Sequence, residues 1–305
     1  ALRASLPADT PLLDALDALA PRAALARADL AIALARWQFE QHSGTRRDFT
    51  EGSLSRAVIL LAVPMVLEMS MESLFGFVDM LFVSKLGAEA VAAVALTEGM
   101  MSLLFGVAVG LSMSTTAMVA RRVGEKNWGE AGVVAVQAVF IGLAVSGVVA
   151  LAGMLAAPHL LRGMGASEAV VATGTRFTQT ILGGSCSVFL LFLLNAVFRG
   201  AGDASVAMRT LWLANAINIV LCPLLIHGVG PIPAMGVQGS AIATTIGRSS
   251  GVLFQFYMLL SGRARLHVHS SQWRFRPDVM GKLVRISITG IAQVLVSSAS
   301  WIGMM

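Results

Sequence analysis

Residues 54–87, LSRAVILLAVPMVLEMSMESLFGFVDMLFVSKLG, are long enough to cross a bilayer, for which about 20 apolar residues suffice, yet Glu68, Glu72 and Asp79 stand inside the run. On a helix, steps of four and seven residues bring the three carboxylates within an arc of roughly 40°. A carboxylate at mid-bilayer costs on the order of 3 kcal/mol, so such a stripe is excluded from lipid and must face protein, water or a cation. An intramembrane acid is by default functional; the alternative is that Glu68 and Glu72 are satisfied by neighbouring polar groups or lie shallower in the membrane.

The rest of the chain repeats the apolar character with a single further acid, Glu98, well inside a predicted span. Of its 305 residues 56% are hydrophobic and 13% charged, and the mean hydropathy is +0.77, which excludes an ordinary soluble domain and predicts a polytopic membrane protein. A net charge of +5 does not point to nucleic acid, because no basic stretch is interleaved with aromatic residues. Cys186 and Cys222 lie in apolar segments and read as buried thiols rather than as a disulfide framework.

Residues 1–50 read as an amphipathic or soluble arm, too charged to span and broken at Pro21. After the acidic helix, spans are predicted over 90–120, 131–157, 173–198, 206–227 and 240–260, with a seventh from 284 onward. Spanning helices are required because lipid offers no partner to exposed backbone groups, and the ten-residue alternation of a barrel is missing. The predicted organisation is an amino-terminal arm (1–50), a six-helix lobe (51–262), a basic cytoplasmic loop (263–283) and the start of a second lobe (284–305). Assigning the amino terminus to the cytoplasm puts Arg46, Arg47, Arg121, Arg122, Arg263 and Arg265 inside and Lys85 and Arg162 outside, as the positive-inside rule demands. Because the seventh span, like the first, follows basic residues and a short apolar lead-in, the chain is expected to be the first part of a longer parallel-repeat polypeptide.

Six local signals occur in order: the opening helix with Pro64, VDMLFVSKLG at 78–87, ARRVGEKN at 120–127, FRGAGDA at 198–204, NIVLCPLLIHG at 218–228 and GVQGSAIATTI at 236–246. From about residue 49 onward the chain thereby resembles the multidrug and toxic compound extrusion (MATE) transporters. That resemblance implies an all-α polytopic membrane protein: a six-helix transporter lobe, half of a twelve-helix two-lobe fold, plus one further transmembrane helix. It implies export of organic cations or xenobiotics against inward-moving Na⁺ or H⁺ by alternating access, in the inner membrane and without enzymatic activity. The family's cation site maps to Asp79, Asn218, Cys222 and Thr244. Cys222 is a departure, since the family carries a carboxylate there and a thiol supplies neither its charge nor its hard oxygens. A second departure is the absence of the seventh helix's proline, Ile291 or Ala292 standing in its place.

Glu68, Glu72 and Glu98 are the candidates to supply the missing charge, and Asn195, Gln137, Met69 and Met101 the candidates for a substrate cavity, methionine offering an adaptable, polarizable wall. Asn218, Asn195 and Gln137 can equally serve as interhelical hydrogen-bonding groups, and the methionines as apolar bulk. Asp203 is expected to cap the fifth helix, and Gly106, Gly110, Gly142 and Gly147 to permit close helix packing. The expected partners are a small organic cation and membrane lipid, with no nucleic acid, no second copy of the chain, no metal and no cofactor beyond the coupling ion. A lipid-linked-sugar flippase of the same superfamily is the nearest rival. An intramembrane enzyme is disfavoured because HExxH and paired intramembrane aspartates at catalytic spacing are both missing.

Overall fold

The computed structural model describes residues 54–228 and 233–303, with side chains over 62–228 and 233–294; the predicted arm lies outside the described residues. Among these, every regular element is helical: α1 (Leu54–Val83), α2 (Ala88–Gly124), α3 (Trp128–Gly163), α4 (Glu168–Gly183), α5 (Ser185–Gly200), α6 (Ala204–His227), α7 (Val237–Leu260) and α8 (Pro277–Gly303). Gly87, at φ 104°, makes the reversal between α1 and α2, a backbone state that a side chain would strain. Asn127 starts α3 by accepting from the Glu130 N–H, and Ser167 starts α4 by accepting from Val170 N–H.

By length and composition, four spans among the described residues can cross a membrane: α2, α3, the joined α4 and α5, and α6. α8 is not among the four, and neither are α1 and α7. The polarity of α1 and α7 has a purpose visible in the packing, because the acids of α1 meet the hydroxyls and Arg248 of α7.

Three boundaries differ from the expectations. The fourth span begins at Glu168 rather than 173 and is interrupted at Gly184, whose N–H still bonds Thr180 O. A Cβ on Gly184 would stand 2.7 Å from Thr245 Cγ2, so the break admits α7 at close range. The last helix begins at Pro277, not 284, because proline suits a first helical position and Asp278 a first turn. The basic loop is correspondingly shorter.

α3 and α5 share the main core, where Val134, Val139, Phe189, Leu193 and Phe198 are buried together. α8 lies on α2: a Cβ added to Gly110 would collide with Ile291, one added to Gly290 would come within 3.2 Å of the Gly110 Cα, and the Ser114 and Ser287 hydroxyls are 2.6 Å apart. Gly142 admits Leu193, and Gly106 meets Val294 at ordinary van der Waals distance. Gly147, by contrast, faces open space and is not a packing glycine.

The basic loop is packed rather than free. Leu266 and Val268 are buried, Phe140 of α3 meets the Trp273 and Phe275 rings at 6.1 and 6.5 Å, and Gln272 Nε2 donates to Gly129 O. Gln137 belongs to this junction: its Nε2 donates to Arg274 O at 2.8 Å and its Oε1 accepts from Arg276 N–H at 2.9 Å. Its assignment to a substrate cavity is therefore corrected; a fully buried amide must pair, and the loop backbone supplies both partners. Asp203 does stand at the N-cap position of α6, but its carboxylate accepts from the Ser205 hydroxyl and from Arg265 N–H in the loop, not from the helix backbone.

Candidate functional site

α1 presents its three acids to three different neighbours. Asp79, about 10 Å along the axis from Glu72 at 1.5 Å per residue, reaches α6 and α7. Its Oδ2 accepts from the Thr244 hydroxyl at 2.6 Å. Its Oδ1 accepts from Ser240 Oγ at 3.3 Å, Asn218 Nδ2 at 3.4 Å and Cys222 Sγ at 3.6 Å. Asn218 Nδ2 also donates to Thr244 Oγ1 at 3.1 Å, which ties the cluster together. Every one of these donors is neutral. They solvate the carboxylate without forming an ion pair with it, and the buried Asn218 Oδ1 has no hydrogen-bond partner.

Glu72 has a different partner. Arg248 Nη2 lies 3.1 Å from its Oε1, and the guanidinium sits 4.9 Å from the centre of the Phe75 ring and 5.6 Å from that of Phe105. Glu72, Asp79, Glu98, Met101 and Arg248 line one cavity of about 140 Å³.

Glu68 lies a turn further on. Its Oε1 takes the Arg199 Nη1 at 2.6 Å and the Asn195 Nδ2 at 2.9 Å, and Asn195 Oδ1 accepts in turn from Gln255 Nε2. Glu68, Met69, Asn195 and Arg199 border a second, mostly apolar cavity of about 710 Å³ between α1, α2, α5 and α6, whose wall Glu72 shares.

The structure thus brings together Asp79, Asn218, Cys222 and Thr244, puts Glu72, Glu98 and Met101 on the wall beside them, and sets Glu68, Asn195 and Met69 apart on the larger cavity. Ser240 and Arg248 are the residues that sequence reasoning missed. Arg248 was open to the argument used for the acids, since a charge within the apolar stretch 240–260 must find a partner. Ser240 gave no signal; it lies one turn before Thr244 on α7 and offers the hydroxyl that partly makes up for Cys222. Among the described residues no group of three or more His, Cys, Asp or Glu side chains is arranged to hold a metal ion.

The family model MatE matches residues 64–224, which include α1 from its proline onward and most of α6. The "Probable multidrug resistance protein YoeA" of Bacillus subtilis is 30% identical over 195 residues, 64% of this chain and 42% of that protein. The "FAD transporter" of Shewanella oneidensis is 26% identical over 215 residues, 70% of this chain and 48% of that one. A solved multidrug resistance MATE family transporter of the MOP superfamily, in its outward-facing conformation, superimposes with a TM-score of 0.74 at 28% identity, covering 82% of this chain and 55% of that chain. The chain spans about half the length of these relatives. Fold, motif order and family match agree: this all-α, multi-pass membrane chain belongs to the MatE family.

Proposed function

We propose that this chain forms the cation-coupled lobe of a secondary active exporter that drives organic cations or xenobiotics outward in exchange for Na⁺ or H⁺ by alternating access. The observation that carries the reading is Asp79: a carboxylate held by four neutral donors and, among the described residues, in no salt bridge, beside a buried carbonyl that lacks a hydrogen-bond partner. Such a site fits a small hard cation, because Asp79, the Asn218 carbonyl and the Ser240 and Thr244 hydroxyls offer oxygen ligands. It fits a proton equally, which Asp79 alone can hold. Either ion neutralises the carboxylate, and a bundle whose helix contacts differ between charged and neutral Asp79 is biased between two states.

The walls favour a cationic cargo. Across the two cavities Glu68, Glu72, Asp79 and Glu98 stand against Arg199 and Arg248, four acids to two bases, and each base is already paired with an acid. A flippase for an anionic lipid-linked sugar, or cargo like that named for the FAD transporter relative, would call for unpaired basic groups there. The reading places the protein in the inner membrane with a cytoplasmic amino terminus, acting as a monomer among lipids.

The test uses everted membrane vesicles carrying the full-length protein and ethidium as cargo. Accumulation is expected to stop when the proton and sodium gradients are both collapsed, and to be absent in Asp79→Asn; accumulation that survives either change overturns the antiport reading.

A further inference from the structure

The environment of Arg248 is not that of an ordinary structural ion pair. A guanidinium presents five donors in a fork that suits bidentate pairing. Here a single contact joins it to Glu72, and its Nε is buried without a hydrogen-bond partner although the residue is 92% buried (8% exposed). What does hold the head group is a cage: the Phe75 and Phe105 ring faces and the Glu72 carboxylate, with Met101 nearby. The adjoining cavity of about 140 Å³ has room beyond the guanidinium, and its wall carries Glu72, Asp79 and Glu98 against Arg248, three negative groups to one positive.

We infer that Phe75, Phe105 and Glu72 form a receptor for flat organic cations of the guanidinium type, and that Arg248 is its tethered occupant, a competitor carried by the protein that sets how tightly an external cation binds. This rests on the reading of the protein as a cation exporter only for the origin of the ligand; the cage itself is geometric. A cation entering from the cavity gains the two ring faces and the carboxylate only after the Arg248 side chain withdraws, so Arg248 acts as a specificity-determining residue. It penalises small or weakly bound cations and admits those with enough aromatic surface to displace it.

The test is binding to the purified full-length protein, with methylguanidinium and ethidium as probes. In wild type, millimolar methylguanidinium is expected to leave the thermal midpoint unchanged. In Arg248→Ala it is expected to raise the midpoint saturably and ethidium to bind about tenfold more tightly, the scale of one desolvated cation–π contact set. Arg248→Gln, which can still hydrogen-bond Glu72, is expected to behave likewise and decides the matter if the alanine variant does not fold. Adding Glu72→Gln to either variant is expected to abolish the gain. The inference is overturned if a folded Arg248 variant shows no saturable response to methylguanidinium, or if the gain persists without the Glu72 charge. Binding needs no gradient: ethidium export that survives collapse of both gradients, with the gain intact, refutes the antiport reading alone, and gradient-driven export without the gain refutes the cage alone.

Discussion

The two ends of the acidic stripe on α1 solve the same problem in opposite ways. At one end Glu68 is buried and paired with Arg199 at 2.6 Å through its Oε1, and Asn195 and Gln255 extend the network. At the other, Asp79 receives only hydroxyl, amide and thiol donors. Burial of a charge requires compensation in both places. A carboxylate that already has an arginine has no use for a mobile cation, whereas one with neutral donors has a standing affinity for it. Glu72 lies between the two in position and in chemistry, paired with Arg248 through one contact. The expectation that Glu68 and Glu72 top up the charge lost at Cys222 is therefore revised: their charge is largely spent on arginines, and Glu98, which has no salt bridge among the described residues, is the remaining acid on the Asp79 wall.

Substitutions can break this contrast. The largest effect is expected from Asp79→Asn, which reduces gradient-driven ethidium export to background while the thermal midpoint holds or rises, because no buried cation loses its partner. Glu68→Gln is expected to do the reverse in kind. It leaves Arg199 without its anion and destabilises by about 3 kcal/mol, the low end for a broken buried pair since 20% of the Arg199 side chain stays accessible. Thermal unfolding of the two variants side by side reads the difference; equal midpoints would erase it. Cys222→Asp sharpens the contrast by placing a second carboxylate against the first, and is expected to tighten binding of the coupling cation roughly tenfold, about 1.4 kcal/mol, in a flux titration.

The smallest effect is expected outside the membrane. Arg121 and Arg122, hydrogen-bonded to Glu125 at 2.9 and 2.7 Å, hold its carboxyl below its usual value near 4.5. A lowered folded-state pKa means that the stabilisation is complete above that usual value and is lost as pH falls through the lowered one. Because Glu125 is exposed, the effect on an acid titration of the midpoint is expected to vanish in high salt, unlike that of Glu68→Gln.

Much of this was legible in the chain. The three acids at spacings of four and seven had to share a helix face, and they do point at protein; the FRGAGDA turn closes one helix and opens the next where expected. Asn218, Cys222 and Thr244 were placed around Asp79 by resemblance, and they meet there. Gln137 was misread because an amide in an apolar helix looks the same whether it faces a cavity or a loop. The start of α8 was missed because hydropathy rises only after a polar first turn that Pro277 and Asp278 make helical. Arg248 was overlooked although the rule that singled out the acids applied to it equally.

Periodicity and hydropathy along the chain decided that helices form, that most can cross a bilayer and that one carries its acids on a single face, since these follow from 3.6 residues per turn and from the cost of charge in lipid. Which acid would be paired with an arginine and which left with neutral donors was decided only when α5, α6 and α7 packed against α1. Arg199 lies 131 positions from Glu68 and Arg248 lies 176 positions from Glu72, and separations of that size carry no local signal of contact.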